Sequence, residues 1–560
     1  MESQGTSYPL DSIRKCSHPV IMAIEVCCRK ICLTLTSIHT TSEVELFISV
    51  DLDVTSHRSE VYTFTVSSLW ESLVSAISHV KDNAFLSRIV AVVITGDPNN
   101  ILIIDKEFVP ISPILYATFH TTSPPQIERF HFLKRTTPSI DPANIGYILT
   151  VQDYLRFVFS GCPVTSVSDA FVSGLWKVQD CCWNDEILSK HNLHKEMFPS
   201  ILDSRAVIGP ISNIAASQLL LPETCAIVNG GDSYACSALG LGVTASKQAV
   251  IQFSQCILLV ISLPQPVESP VFWSLFKPIP AVESGKILAT TQLQHWDIPE
   301  ISMSTSPTTS LMTSSTYCPV KYNPLDPQGL DASALFVQSN DFMDLGLSCL
   351  KKFNDKLEPS PPRLSAVFFN NIIESIPYSK AGSKGILFIP HFPSERSRNV
   401  NNIIKNRFIS TCQIEINTID NNIYKRCYLE SLMFRFRFCL DRIPIESKPT
   451  IVSISIPLKL NESRSNVLFA LAQMIADITG LLVVVSNNGS AGKGAGILGA
   501  FALKLFNSLD EAIYQLVSSK LISPNSNNQY LYNALYNYWL DVVCGKLALP
   551  LEDDVIRSLS

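Results

Sequence analysis

Residues 226–243 read AIVNGGDSYACSALGLGV. Ala226–Asn229 is a short apolar run of strand type. Gly230-Gly231-Asp232 breaks it, and Ser233–Gly240 continues as a helix of small residues. Two glycines ahead of an aspartate at a strand-to-helix junction leave the carboxylate open and let a ligand approach the main chain. Asp232 is placed there to take a proton from a hydroxyl. It is equally well placed as a helix N-cap, a position that favours Asp. Spacing alone leaves both roles open.

The same alternation extends outward on both sides. Upstream, Val20–Val26 and Ile31–Thr36 read as a hairpin over Arg29-Lys30, with Val44–Val50 and Val61–Val66 as further strands. Ser68–Val80 has helical spacing on Leu69, Leu73, Ile77 and Val80, and Ile89–Thr95 is a β-branched run of buried-strand type. Ile145–Phe159 reads as one helix closed by Gly161. Downstream, Gln248–Ile261 is strand-like, Gly385–Pro390 is a strand ending at proline, and Ile423–Leu440 is a long helix. Ser465–Gly480, Leu481–Val485 and Gly494–Phe506 then read helix, strand, helix. This alternation argues an α/β protein with two lobes. Ser302–Thr316 is a Ser/Thr-rich stretch of low complexity, read as an insertion.

Composition narrows the function. Of 560 residues, 46% are hydrophobic and 16% charged, which excludes global disorder. With 43 basic and 49 acidic residues the net charge is −6, so no nucleic-acid partner is expected. No apolar run approaches the roughly 20 residues of a membrane span, and without a basic segment followed by an apolar one at the start no signal peptide is expected. The 16 cysteines include adjacent pairs at Cys27-Cys28 and Cys181-Cys182 but no C-x-x-C. The expectation is a cytoplasmic protein with reduced thiols and no membrane partner.

Other motifs are weaker. Gly489–Gly496 follows a strand and precedes a helix, but Asn487 stands where a phosphate loop needs its first glycine, and Gly494 follows Lys493. A flexible turn into a close-packed helix explains it, although helix N-termini do attract anions. His191, His194 and Glu196 lack zinc-protease order and read as a solvated loop; Asp51 and Asp53 read as an exposed acidic pair.

Taken in order, these segments resemble the FGGY carbohydrate kinases, most closely their xylulokinase-like branch. The stretch Val151–Trp183 carries the resemblance best, through Gln152-Asp153-Tyr154-Leu155-Arg156, Ser160-Gly161, Ser168-Asp169-Ala170 and Ser173-Gly174-Leu175. Asn229–Val243, Gly385–Arg396, Tyr428-Leu429-Glu430 and Leu498-Gly499-Ala500 follow in the family's order. The resemblance runs from about Pro19 to Phe506. It implies two ribonuclease-H-like lobes of the actin/Hsp70/sugar-kinase type around a cleft. Residues 18–246 would be the sugar-binding lobe, 247–507 the nucleotide-binding lobe, and 508–560 a helical extension.

The resemblance also implies ATP and Mg²⁺, a ketose such as D-xylulose as acceptor, and Asp232 as catalytic base. Gly231, Asp97 and Asn99 would join Asp232 on the sugar; Glu25, Ser254, Gly494 and Gly499 would lie on the nucleotide side. No metal ligand is singled out, and a homodimer is allowed for. Several positions depart from the family pattern. Its first phosphate motif falls on Glu25-Val26-Cys27-Cys28, with Asp51–Ser56 as an alternative register of better residues but too near Ile89; its second falls on Ser254-Gln255-Cys256, and its adenine-side glycines on Ile456-Pro457-Leu458. Its sugar-binding aromatic motif falls on Tyr116–His120. These losses of close-approach glycines sustain an alternative, a pseudokinase acting as a binding or regulatory protein.

Overall fold

The computed structural model describes residues 18–38, 44–58, 61–80, 86–117, 124–177, 182–243, 248–253, 257–263, 273–275, 287–292, 372–389, 407–411, 420–441, 448–455, 462–486 and 491–543. The Ser/Thr-rich stretch 302–316, the phosphate-motif residues 254–256 and the positions 456–458 lie outside them.

The chain opens with β1 (Val20–Val26), β2 (Lys30–Ser37), β3 (Val44–Asp51), β4 (Thr55–Arg58), β5 (Val61–Phe64), α1 (Val66–Ser78), β6 (Ile89–Gly96), β7 (Asn100–Asp105) and β8 (Ile114–Ala117). Then come α2 (Pro125–Thr136), β9 (Ile145–Leu149), α3 (Val151–Ser160), β10 (Val164–Ser166), α4 (Val167–Val172), β11 (Trp176–Lys177), β12 (Cys182–Trp183) and α5 (Asp185–Lys190). β13 (Ser200–Leu202), β14 (Val207–Pro210), α6 (Asn213–Leu219), β15 (Ala226–Asp232) and α7 (Ser233–Gly240) complete the first half.

The second half holds β16 (Gln248–Phe253), β17 (Ile257–Leu263), β18 (Trp273–Leu275), β19 (Ile287–Gln292), β20 (Ile386–Ile389), β21 (Arg407–Ser410), α8 (Asn421–Leu440) and β22 (Ile451–Ser455). It ends with α9 (Glu462–Thr479), β23 (Leu482–Ser486), α10 (Ala491–Ala502), α11 (Leu509–Leu516), β24 (Ser519–Ile522) and α12 (Ser526–Val543).

Two sheets share one plan. The first has the order β14-β15-β6-β1-β2-β3. Its centre, β1, β6 and β15, is parallel, and β2, β3 and β14 run antiparallel to their neighbours. The second has the order β18-β19-β17-β16-β22-β23-β24, with β16, β22 and β23 parallel and the rest antiparallel. The parallel strands are the continuous apolar runs, such as VIMAIEV and IVAVVITG, because both of their faces are covered. This is the α/β, twice-used ribonuclease-H-like plan that the resemblance implies. A five-stranded antiparallel sheet, β4-β5-β8-β7-β9, accompanies the first half.

One helix boundary differs from expectation. Ile145–Phe159 divides into β9 and α3 at Thr150. The Thr150 side chain accepts from the Asp153 N–H, and the Asp153 carboxylate accepts from the Thr150 N–H, a capping box that starts the helix there. The β-branched IGYIL segment before it pairs with β7 instead.

The helices α7 and α10 tie the halves together. The chain leaves the first sheet through α7 and enters the second at β16. α10 leaves the second sheet after β23 and returns to pack on α7, β1, β2 and β6. Residues of α7, α10, α11, β1, β6 and β15 share one buried core with Val250 of β16. Segment 508–560, expected as an extension, is built in as far as residue 543. β24 extends the second sheet, and Tyr532 and Trp539 of α12 lie in the core beneath α8 and α9. No described helix is long and apolar enough to cross a membrane.

Candidate active site

Three parallel neighbours end at one edge of the first sheet, and each carries a carboxylate there. Glu25 lies at the end of β1, paired with Thr95 of β6. Asp97 follows the end of β6, its N–H donating to the Val26 carbonyl (3.0 Å). Asp232 ends β15, paired with Gly96. Ligands of open α/β sheets bind outside the carboxyl ends of the strands.

A bulge aims Asp232. Val228 pairs with Val93 but Gly231 pairs with Thr95, so β15 carries an extra residue at Asn229–Gly230. Gly230 has φ +79°, and a Cβ there would sit 2.0 Å from the Ile94 carbonyl oxygen, so only glycine fits. The buried Arg156 guanidinium supports the bulge. Its Nε donates to the Asn229 carbonyl (2.6 Å), Nη1 to Asp153 (2.7 Å) and Nη2 to Asp169 (2.8 Å). A charge buried this deeply survives only because it is paired and hydrogen-bonded.

Asp232 is both a cap and an open carboxylate. Its Oδ1 accepts from the Tyr234 and Ala235 N–H groups at the start of α7 (2.8 and 3.2 Å). Its Oδ2 is buried without a hydrogen-bond partner. Its own N–H donates to Ser168 Oγ (2.9 Å). Burial, and then the charge of Asp169, raise its pKa to about 7; the α7 amides and Ser168 oppose the rise. Gly231 stands tight beside Ser168, whose Oγ would lie 2.9 Å from a Cβ at that position.

Asp97 and Asn99 sit in the loop between β6 and β7, fixed by a polar cluster. Tyr116 Oη donates to Asp97 Oδ2 (2.5 Å), and the Asn99 N–H donates to Oδ1 (2.9 Å). Gln152 Nε2 donates to the Asp97 carbonyl (3.1 Å), and Arg129 Nη2 donates to Asn99 Oδ1 (2.6 Å). Burial raises the Asp97 pKa against these donors. Glu25 is raised to about 7, chiefly by burial and further by the charge of Asp97. Cys27 Sγ donates to its Oε1 (3.6 Å), and the Gly492 N–H at the start of α10 faces it.

The structure therefore gathers Glu25, Asp97, Asn99, Gly231 and Asp232 at one sheet edge. Gly494 and Gly499 point elsewhere. A Cβ on Gly494 would meet the Cys236 carbonyl oxygen at 1.7 Å, and one on Gly499 would meet Val93 and Ile21 at 2.5 and 2.9 Å. Protein fills the space beside both glycines, which let α10 approach α7 and the first sheet. Ser254 lies outside the described residues. Among the described residues no group of three or more His, Cys, Asp or Glu is placed to hold a metal ion. Sequence reasoning assigned no role to Arg129, Gln152, Arg156 or Ser168. Arg156, Gln152 and Ser168 stood in the stretch that carries the resemblance, and Arg129 was not singled out.

Comparison with known proteins shows what this geometry is similar to. The model of the N-terminal domain of the FGGY family of carbohydrate kinases matches residues 126–240. Residues 126–240 are thus similar to the N-terminal domain of that family. The matched stretch holds Arg156, Ser168, Asp169 and Asp232. The proteins it resembles are sugar kinases, and so phosphotransferases. A xylulose kinase of Lactococcus lactis subsp. lactis is 20% identical over 499 residues, covering 84% of this chain and 86% of that one. The fold matches a gluconate kinase from Lactobacillus acidophilus with a TM-score of 0.68 at 14% identity, covering 94% of this chain and 98% of that one. A ligand-bound xylulose kinase from the same organism gives 0.67 at 14% identity, covering 94% and 97%.

Proposed function

We propose that this protein is an FGGY-type kinase that transfers the γ-phosphoryl group of ATP to a hydroxyl of a ketose such as D-xylulose. Asp232 takes the proton of the attacking hydroxyl. The observation that carries this reading is the bare, buried Oδ2 of Asp232 on a carboxylate whose pKa is about 7. A base is most effective with a pKa near the working pH. Asp97 and Asn99, held rigid by Tyr116 and Arg129, offer polar groups to the sugar hydroxyls. Mg²⁺ arrives on the nucleotide as part of the substrate, where it neutralises phosphate charge. The rest of the rate enhancement is positioning of the two substrates. The sugar is taken by the lobe at 18–246 and the nucleotide by the lobe at 247–507.

One observation favours the second reading, a pseudokinase that binds without turnover. The hairpin Glu25-Val26-Cys27-Cys28 has no glycine, and the α10 N-terminus already faces the Glu25 carboxylate in place of a phosphate. Thermal unfolding with MgATP, with a ketose panel, and with both, tests for binding, and coupled ADP release with the same panel separates the two. A ligand bound selectively to the native state at 100 times its Kd stabilises it by about 2.7 kcal/mol. The kinase reading expects a rise with nucleotide and a further rise with one sugar. No rise with any sugar would overturn it.

A further inference from the structure

The hydroxyl protons behind Asp232 can be counted. Ser166 Oγ accepts from the Asp169 N–H (3.0 Å) and donates its one proton to Asp169 Oδ2 (2.7 Å), the oxygen that Arg156 also holds. Ser166 and Ser168 touch, Oγ to Oγ, at 3.1 Å. Ser166 has no second proton, so Ser168 is the donor in that contact. Ser168 also accepts the Asp232 N–H (2.9 Å), which places its hydroxyl against the residue that carries the bare Oδ2. Ser168 is completely buried, so no water competes for its proton.

We propose that Ser168 is a positioning residue for Asp232, its hydroxyl proton turning between Ser166 and the bare Oδ2 as the Asp232 carboxyl gains or loses its own proton. With Asp232 ionised, Ser168 donates to the carboxylate and stabilises the base form. With Asp232 protonated, Ser168 turns back to Ser166. The Asp232 main chain is held throughout by its N–H bond to Ser168. Asp169 and Arg156 act through Ser166, fixing the direction of its proton. The other titratable or charged groups on elements packed around Asp232 are Asp153 on α3, Tyr234 and Cys236 on α7, Glu25 on β1, Asp97 after β6 and Lys493 on α10. None of these is altered in the variants below.

The proposal rests on Asp232 as the base for its kinetic consequence, but its first test needs no turnover. The stability of wild type, S168A, D232N and the double variant is measured by thermal unfolding from pH 5 to pH 8. The expected result is a cost of S168A that grows with pH when Asp232 is present and is flat in the D232N background. A cost independent of pH, or the same in both backgrounds, would overturn the proposal by making Ser168 a packing residue only.

The second test is the pH profile of kcat/KM. The acid limb moves up by about one unit in S168A, the size of one hydrogen bond to a charged group. It moves down in S166A, because the competing acceptor for the Ser168 proton is gone. Should S168A fail to fold, S166A still decides, and its acid limb staying in place overturns the proposal. A wild type without turnover would refute the kinase reading while the stability cycle still judges Ser168.

Discussion

Asn caps helices about as well as Asp, so Asp232→Asn separates the two roles that the sequence left open. It keeps the bonds to the start of α7 and loses the base. Turnover should fall at least ~1,000-fold while the fold persists, because the proton of the attacking hydroxyl loses its acceptor; Asp232→Ala loses both and costs a further ~1 kcal/mol for the cap. The pH dependence has a definite sign. A carboxyl raised from its usual range to about 7 binds more protons folded than unfolded, so its contribution to stability is full below about pH 4 and is lost as pH rises through 7. D232N removes that loss, and its melting temperature at pH 8 should exceed that of wild type. Activity has the opposite slope, because the ionised form is the base: kcat/KM should fall below about pH 7. The residue itself was legible from Gly-Gly-Asp at a strand end. Its environment was not, because Ser168 and Arg156 approach from more than 60 residues away in sequence.

At the scale of elements, α10 makes a test of its own. Gly494→Ala would drive a Cβ into the Cys236 carbonyl, a main-chain atom that cannot swing aside. The two helices must part, at the upper end of overpacking costs, about 3 kcal/mol. Gly209→Ala on β14 meets nothing within 4 Å and should stay within ~0.5 kcal/mol. Urea unfolding of the two variants checks the contrast. The helix was legible as a run of small residues, and strand and helix alternation located most other elements. Its partner was not legible, since small residues announce a close approach without saying to what. The break at Thr150 escaped the sequence for a similar cause: apolar residues run on from IGYIL into the following VQDYLRF, and only the side-chain geometry of the capping box marks the boundary.

At the scale of the molecule, the two sheets of one plan are joined by crossing helices and closed by the C-terminal segment. Tyr532 Oη donates to the buried Glu430 Oε1 (2.6 Å) and accepts from Arg426 Nη2 (3.0 Å). Tyr532→Phe leaves that carboxylate short of a donor and should cost about 1–3 kcal/mol by urea unfolding. Removal of residues 509–560 takes Trp539 out of the second core as well, and the remainder should not fold stably. These parts act together in the proposed reaction, in which a sugar-kinase fold transfers phosphate through Asp232. Coupled ADP release from MgATP with a panel of ketoses and polyols, wild type beside D232N, tests it most directly. The account predicts release that depends on one sugar and disappears in D232N. Folded wild type that releases no more ADP than D232N with every sugar would contradict it.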